Sequence, residues 1–254
     1  KNGNITKITY PSGREVVYNI NVMNGRPSSI SAILNGAPKT ILANINYIPF
    51  GFIKEGTFGN NLTLSRTYDL KYRLTSNTNG PIGVNYTYDN EFNILSISGS
   101  YTRNYNYDDL YRLISATGPW GTKGYTYDKN GNRLTKTENS NTTYYNYQTG
   151  TNRLISTTGA EPDNFTYNQN GSIISDSNHT YQYGDNGTMV SVDLGQTATY
   201  KYDWDFKRRK AIYQSKAILF FYDLEGKIIA EKDLSNGYWT DYIYNGFEPV
   251  AKIK

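Results

Sequence analysis

Polar and apolar positions alternate along this chain in short bursts. Two aromatic rings flank one polar residue in Tyr86-Thr87-Tyr88, Tyr105-Asn106-Tyr107, Tyr125-Thr126-Tyr127 and Tyr145-Asn146-Tyr147. A period of two puts both rings on one face of a strand. A polar cluster follows, and an aliphatic residue returns six or seven positions after the second ring. Leu74, Leu95, Leu113, Leu134, Leu154, Ile174, Val190 and Ile229 fill that slot. The pattern predicts β-hairpins, with an aromatic row on one strand and an aliphatic row on the next.

The burst is periodic. The second ring falls at Tyr88, Tyr107, Tyr127, Tyr147, Tyr167, Tyr183, Tyr202, Tyr222 and Tyr244, at intervals of 19, 20, 20, 20, 16, 19, 20 and 22 residues. Tyr68 and Tyr47 extend the series backwards, and Tyr18 joins it with a longer spacer. About twelve units cover nearly the whole chain. The clearest runs from Gly124 to Leu134. Gly sits four after the ring at Gly131, Gly171, Gly187 and Gly226, and Asn precedes the first three. Asn-Gly predicts a tight turn, since both residues tolerate positive φ. Asp follows the ring at Asp69, Asp89, Asp108, Asp128, Asp203 and Asp223. A carboxylate there accepts the turn's backbone N–H groups. Arg73, Arg112, Arg133 and Arg153 are placed to stack on rings while their stems pack.

One hairpin is not stable in water, but a series can be, each pairing with its neighbours. Strands twist, so a long strip coils. The expectation is an all-β protein: tandem antiparallel β-hairpin repeats in one continuous, twisted, spiralling sheet strip. Residues 1–254 form a single array without a subdomain boundary, and residues 1–45 are its least regular part. The 16-residue interval marks a shortened linker. Unpaired sheet edges predict self-association.

Composition agrees. Tyr contributes 26 residues, Asn 30 and Thr 27, favouring strands and turns over helices. Cys is absent and His occurs once, which excludes disulfides, thiol chemistry and multi-His metal sites. The net charge of +4 does not point to a nucleic-acid partner. The longest apolar run, Ala217 to Tyr222, is far too short to span a membrane as a helix. No leader opens the chain, so it is expected to start inside a mature region or to have lost one. No cofactor is implied.

The unit Tyr-x-Tyr-Asp-x-x-Gly-x-x-Leu resembles the YD repeat. Bacterial Rhs proteins, wall-associated proteins, insecticidal toxin-complex shell subunits and teneurins carry it. Gly124 to Leu134 matches most closely, and Asn46 through Asn60 resembles a variant repeat. Residues 222–254, with Phe221-Tyr222-Asp223 and Tyr242-Ile243-Tyr244-Asn245-Gly246, resemble the last repeats of an Rhs core. The resemblance implies a non-catalytic shell at the cell surface or outside the cell. It also implies partners in further repeats of the same polypeptide and in a C-terminal toxin domain that the shell encloses. Some relatives release that domain by self-cleavage at Asp-Pro motifs. None occurs in this sequence, so the chain is expected to be a fragment that stops short of that site.

Few residues suggest other chemistry. His179 reads as a surface side chain at a strand start. Asp203 and Asp205, on one face around Trp204, are the one carboxylate pair in reach of hydrolytic work. Lys207-Arg208-Arg209-Lys210 reads as a solvated run, with a polyanion contact as its alternative. Asp128 to Gly131 lacks the later acids of a calcium loop. Asn61, Asn141 and Asn164 head glycosylation sequons of the kind an Asn- and Thr-rich chain contains by chance. Trp120, in Gly118-Pro119-Trp120-Gly121, is the candidate contact for a cell-surface glycan, against a packing role. Carbohydrate binding is therefore the alternative function.

Overall fold

The computed structural model describes residues 4–49 and 51–254. Phe50, within the variant repeat, lies outside the described residues. The described residues form twenty-six strands and one short 3-10 turn, Asp193–Gly195. Strand order follows chain order throughout. Sixteen strands, from Lys7–Thr9 to Asp163–Asn164, make one sheet. Thr166–Tyr167 and Ile173–Ser175 make a second, and eight strands from Tyr181–Tyr183 to Glu248–Ile253 make a third. The paired strands are antiparallel. The all-β hairpin array read from the sequence is the fold.

The ladder breaks near the 16-residue interval because side chains compete for its backbone donors. The Asp163 carboxylate takes the N–H groups of Asn164 and Ser177 at 2.7 and 2.8 Å. Asp176 takes those of Asn178 and His179 at 2.8 and 2.7 Å.

The turns differ in detail from the Asn-Gly expectation. In Asp128 to Asn132 only Gly131 has positive φ, at 87°, and Asn130 does not. The Gly131 N–H reaches the Asp128 carbonyl at 3.2 Å, and the Asp128 N–H reaches the Asn132 carbonyl at 2.9 Å. This is a type I turn closed by a left-handed residue, the three-residue hairpin loop. The ladder also slips by one residue at each ring, between Thr87 and Tyr88, Asn106 and Tyr107, Thr126 and Tyr127, and Phe221 and Tyr222. That bulge changes the aliphatic assignment. Tyr88 pairs with Ile94, Tyr127 with Arg133 and Tyr167 with Ile173. Leu95, Leu134 and Ile174 are more than a third exposed. A one-residue slip exchanges the faces of a strand.

The chain divides into two compact units. One comprises Lys1–Arg66 with Gln182–Lys254, the other Thr67–Tyr181. In the first, two segments remote in sequence share one core. Val16, Tyr18, Ile30, Ala32, Leu42, Ile45, Ile53 and Leu64 pack with Ile243, flanked by Ile229, Val250 and Ala251. Residues 1–45, the least regular by period, supply much of this core. Fully buried positions alternate there with half-buried ones, as Val16 and Tyr18 on either side of Val17, or Ile30 and Ala32 on either side of Ser31. Polar contacts reinforce the closure. Tyr10 and Tyr18 donate to the carbonyls of Tyr242 and Tyr244, each at 3.1 Å. Arg14 pairs with Asp241, Arg66 pairs with Glu248, and Ser12 donates to Asp241 at 2.6 Å. Stability here is therefore not a sum over neighbouring repeats alone.

The second unit has little core of that kind. Val84, Ala116, Thr143 and Thr157 are its buried residues among those described. Its strands are held by contacts repeated from hairpin to hairpin.

Candidate functional site

The repeated contact is built from three positions, the second ring, the aspartate that follows it in six units and the cation near the end of the turn. The second ring ends its strand, and its hydroxyl reaches back to the preceding hairpin. Tyr88 donates to the Leu74 carbonyl at 2.7 Å, Tyr107 to Ile94 at 2.9 Å and Tyr127 to Leu113 at 2.8 Å. Tyr147 donates to Arg133 at 3.0 Å, Tyr167 to Leu154 at 2.6 Å, Tyr222 to Arg208 at 2.8 Å and Tyr244 to Ile228 at 2.9 Å. Tyr202 is half-buried and pairs with Arg208 across its bulge. Tyr68 and Tyr183 close their strands half-buried. Burial pushes the hydroxyls of Tyr88, Tyr107 and Tyr127 up from the ordinary phenol value.

The aspartate after the ring organises the turn. One oxygen of Asp108 accepts the N–H groups of Leu110 and Arg112 at 3.0 and 2.9 Å, and the other accepts Arg112 Nε at 2.7 Å. Asp69 binds Lys71 and Arg73 in the same way. In Asp89 and Asp128 an asparagine takes the arginine's place, Asn93 at 2.7 Å and Asn132 at 2.8 Å. The arginine then crosses to the next hairpin. Arg73 donates to the Asp89 carbonyl and Arg112 to the Asp128 carbonyl, both at 2.8 Å. Each guanidinium lies 4.8 Å from the next ring, Tyr88 and Tyr127. Arg133 lies 4.3 Å over Tyr145 and Arg153 5.0 Å over Tyr167. Ring, carboxylate and cation thus form a staple between consecutive hairpins.

Two expected results follow. Tyr127→Phe keeps the ring and deletes one hydrogen bond to a backbone carbonyl. It should cost about 0.5–1.5 kcal/mol, read from urea unfolding and from faster amide exchange in Leu113–Gly118. The second concerns acid. The Arg112 side chain, followed by its backbone N–H, holds the Asp108 carboxyl below the usual range. The Asn132 amide does so first for Asp128. A depressed folded-state pKa adds stability that is complete above the unfolded value, near 3.9, and is lost as pH falls through the folded value. The thermal midpoint should therefore be flat from neutral pH to about 5 and drop below about 4. Asp108→Asn should flatten that drop.

The turn glycines Gly131, Gly171, Gly187 and Gly226 have φ of 87°, 82°, 78° and 86°. The slot is not reserved for glycine. Tyr72, Phe92, Tyr111 and Phe206 occupy it with φ of 62°, 73°, 60° and 59°. A non-glycine residue in this region costs about 1–2 kcal/mol. Counting four residues from Tyr68, Tyr88, Tyr107 and Tyr202 would have found these positions, but their residue type hid them.

The remaining candidates fall into turn and packing roles. Asp203 accepts the N–H groups of Asp205 and Lys207 through one oxygen and Arg209 Nε at 2.7 Å through the other. It is a turn organiser, with Asp205 beside it as a donor. Arg208 sits between the rings of Tyr200 and Phe220, at 5.3 and 5.0 Å, and Arg209 lies 5.1 Å over Tyr222. The basic run is thus partly absorbed into stacking. His179 donates its backbone N–H to Asp176 and its ring lies 6.5 Å from Tyr181. Trp120 is 37% exposed, with Arg103 5.1 Å over its ring. Among the described residues no group of three or more His, Cys, Asp or Glu is placed to hold a metal ion.

Comparison with known proteins agrees with this geometry. The family model for the teneurin YD-shell matches residues 91–223, more than half of the chain. The chain belongs to the YD-shell family. Among solved structures, a chain of the Photorhabdus luminescens Tc holotoxin pore superposes with a TM-score of 0.74 at 17% identity. The match covers 95% of this YD-shell chain and 14% of that chain. The TcdB2–TccC3–Cdc42 complex gives 0.72 at 20% identity, covering 93% and 14%. TcdB2–TccC3 gives 0.71 at 17%, covering 94% and 15%. The YD-shell chain thus spans about one seventh of the toxin-complex chains that it matches. No curated protein matches its sequence.

Proposed function

We propose that this chain is a non-catalytic segment of a larger YD-repeat shell, secreted or displayed at the cell surface. Its direct partners are further repeats of the same polypeptide, and the shell they build encloses a C-terminal toxin domain. The observation that carries this reading is the staple itself. The tyrosine hydroxyl, the aspartate carboxylate and the arginine guanidinium are spent on joining hairpins. The six recurrent carboxylates are turn organisers rather than a catalytic pair. Family membership and the match to toxin-complex chains support the reading.

Limited proteolysis of the parent polypeptide tests it. A domain enclosed by the shell should resist protease under native conditions and be cut once urea opens the staples. Native-rate cleavage of the downstream domain, with the repeats intact, would overturn the proposal.

A further inference from the structure

One hairpin loop of the first unit carries chemistry that the shell role does not use. Eight Asn-Gly pairs lie among the described residues. An asparagine before glycine can cyclise, the glycine nitrogen attacking the side-chain carbonyl carbon. In a folded chain this needs a free glycine N–H, a free asparagine amide and a backbone that brings the two together. Most of the pairs fail on one count. Gly25, Gly131, Gly171, Gly187 and Gly237 donate their N–H groups to carbonyls at 2.8 to 3.2 Å. The Asn245 amide is held 3.0 Å from the Tyr47 hydroxyl. Asn79 ends the strand Leu74–Asn79, where extended backbone turns the next nitrogen away from the side chain.

Asn35-Gly36 meets all three conditions. Both residues are exposed, and neither the amide nor the Gly36 N–H has a partner among the described residues. They form the whole loop between the paired residues Leu34 and Ala37, with φ of 52° and 76°. This is a type I′ turn, and the other favoured two-residue turn is type II′. Flipping the one peptide between the two residues interconverts them. Type II′ keeps φ of the first residue near +60° and moves its ψ to about −120°. At that ψ the Gly36 nitrogen eclipses Cβ of Asn35, which is the geometry of a five-membered ring. Glycine accepts the accompanying change of sign in φ, and no atom lies within 4 Å of the position a Cβ would take there. Of the eight asparagines only Asn35 already has positive φ.

We infer that Asn35-Gly36 is a site of spontaneous covalent modification, with water as its only co-reactant. The Gly36 nitrogen gives up its proton and bonds to Asn35 Cγ. The bond from Cγ to the amide nitrogen breaks, and ammonia leaves with one proton equivalent. Water then opens the succinimide at either carbonyl, giving aspartate or isoaspartate. The new carboxylate lies in a cleft that Asn35 shares with Arg14 and Lys254, whose cations favour it. Isoaspartate also lengthens the backbone of the loop that sets Pro27–Leu34 against Ala37–Tyr47. Those strands carry Ile30, Ala32, Leu42 and Ile45 of the main core. The inference is independent of the shell reading, which survives its failure.

The test is incubation of the whole chain at mildly alkaline pH, followed by peptide mass mapping and by methyl transfer from an isoaspartyl methyltransferase. In the folded chain Asn35 should react at least about tenfold faster than Asn130. In urea the two should react at similar rates, because the folded turns no longer rank them. Asn35→Gly should fold, since Gly-Gly also forms the type I′ loop, and should lose the leading modification. Aged protein should show faster amide exchange in Pro27–Leu34 and Ala37–Tyr47, and aged Asn35→Gly should not. Modification at Asn130 or another Asn-Gly pair before Asn35 would overturn the inference. So would a lead of Asn35 that persists unchanged in urea, since local sequence and not the turn would then set the rate.

Discussion

Asp241→Ala is expected to lower stability by about 3–5 kcal/mol, the largest loss of any single polar substitution in the first unit. Asp241 is fully buried, and the side chain of Arg14, its partner, is 16% exposed. One carboxylate oxygen accepts from Ser12 and Arg14, while the other has no hydrogen-bond partner. Removing the carboxylate leaves a mostly buried guanidinium without its counter-charge. It also releases Ser12, so the loss falls where residues near 14 meet residues near 241. The double variant Arg14→Met with Asp241→Leu should recover most of the loss, because a buried ion pair replaced by apolar groups is often neutral or better. Urea unfolding of the single and double variants measures both numbers. A loss below about 1 kcal/mol for Asp241→Ala would show that the pair is effectively solvated.

Leu42→Ala should cost about 2–5 kcal/mol. Leu42 is fully buried and belongs to the core that the two remote segments share. A cavity there cannot close without moving strands Pro27–Leu34 and Ile53–Phe58, with which it pairs. Leu113→Ala in the second unit is the contrast. That residue is only half-buried on a sheet with few buried neighbours, so its loss should be smaller, about 1–2 kcal/mol. Amide exchange should separate the two substitutions. Leu42→Ala should release protection in Lys1–Arg66 and Gln182–Lys254 together. Equal effects of the two substitutions on global stability would contradict the difference between the cores.

The staple was largely legible in the sequence. Asp108 and Asp128 capture turn N–H groups as the Tyr-Asp spacing predicts, because an Asx contact needs only residues two to four apart. Arg112 stacks on Tyr127 as expected, but the sequence does not say that the ring belongs to the next hairpin. Nor does it reveal the bulge at each tyrosine. Six and seven residues after the ring are both compatible with an aliphatic slot, and only the ladder distinguishes Ile94 from Leu95. The left-handed Tyr72, Phe92 and Tyr111 were missed for a related reason. A residue type favoured in strands gives no signal of positive φ, whereas glycine does.

Local periodicity by itself determined the class, the hairpins, their turns and the chemistry of the staple. Each of these rests on residues within about twenty positions of one another, where pleat and turn geometry fix which side chains meet. Only the tertiary structure decided that Tyr10, Tyr18 and Arg14 close onto Tyr242, Tyr244 and Asp241. The same holds for the irregular first segment, which carries much of the main core. Burial between these remote strands rests on packing that the sequence pattern of any one repeat does not encode.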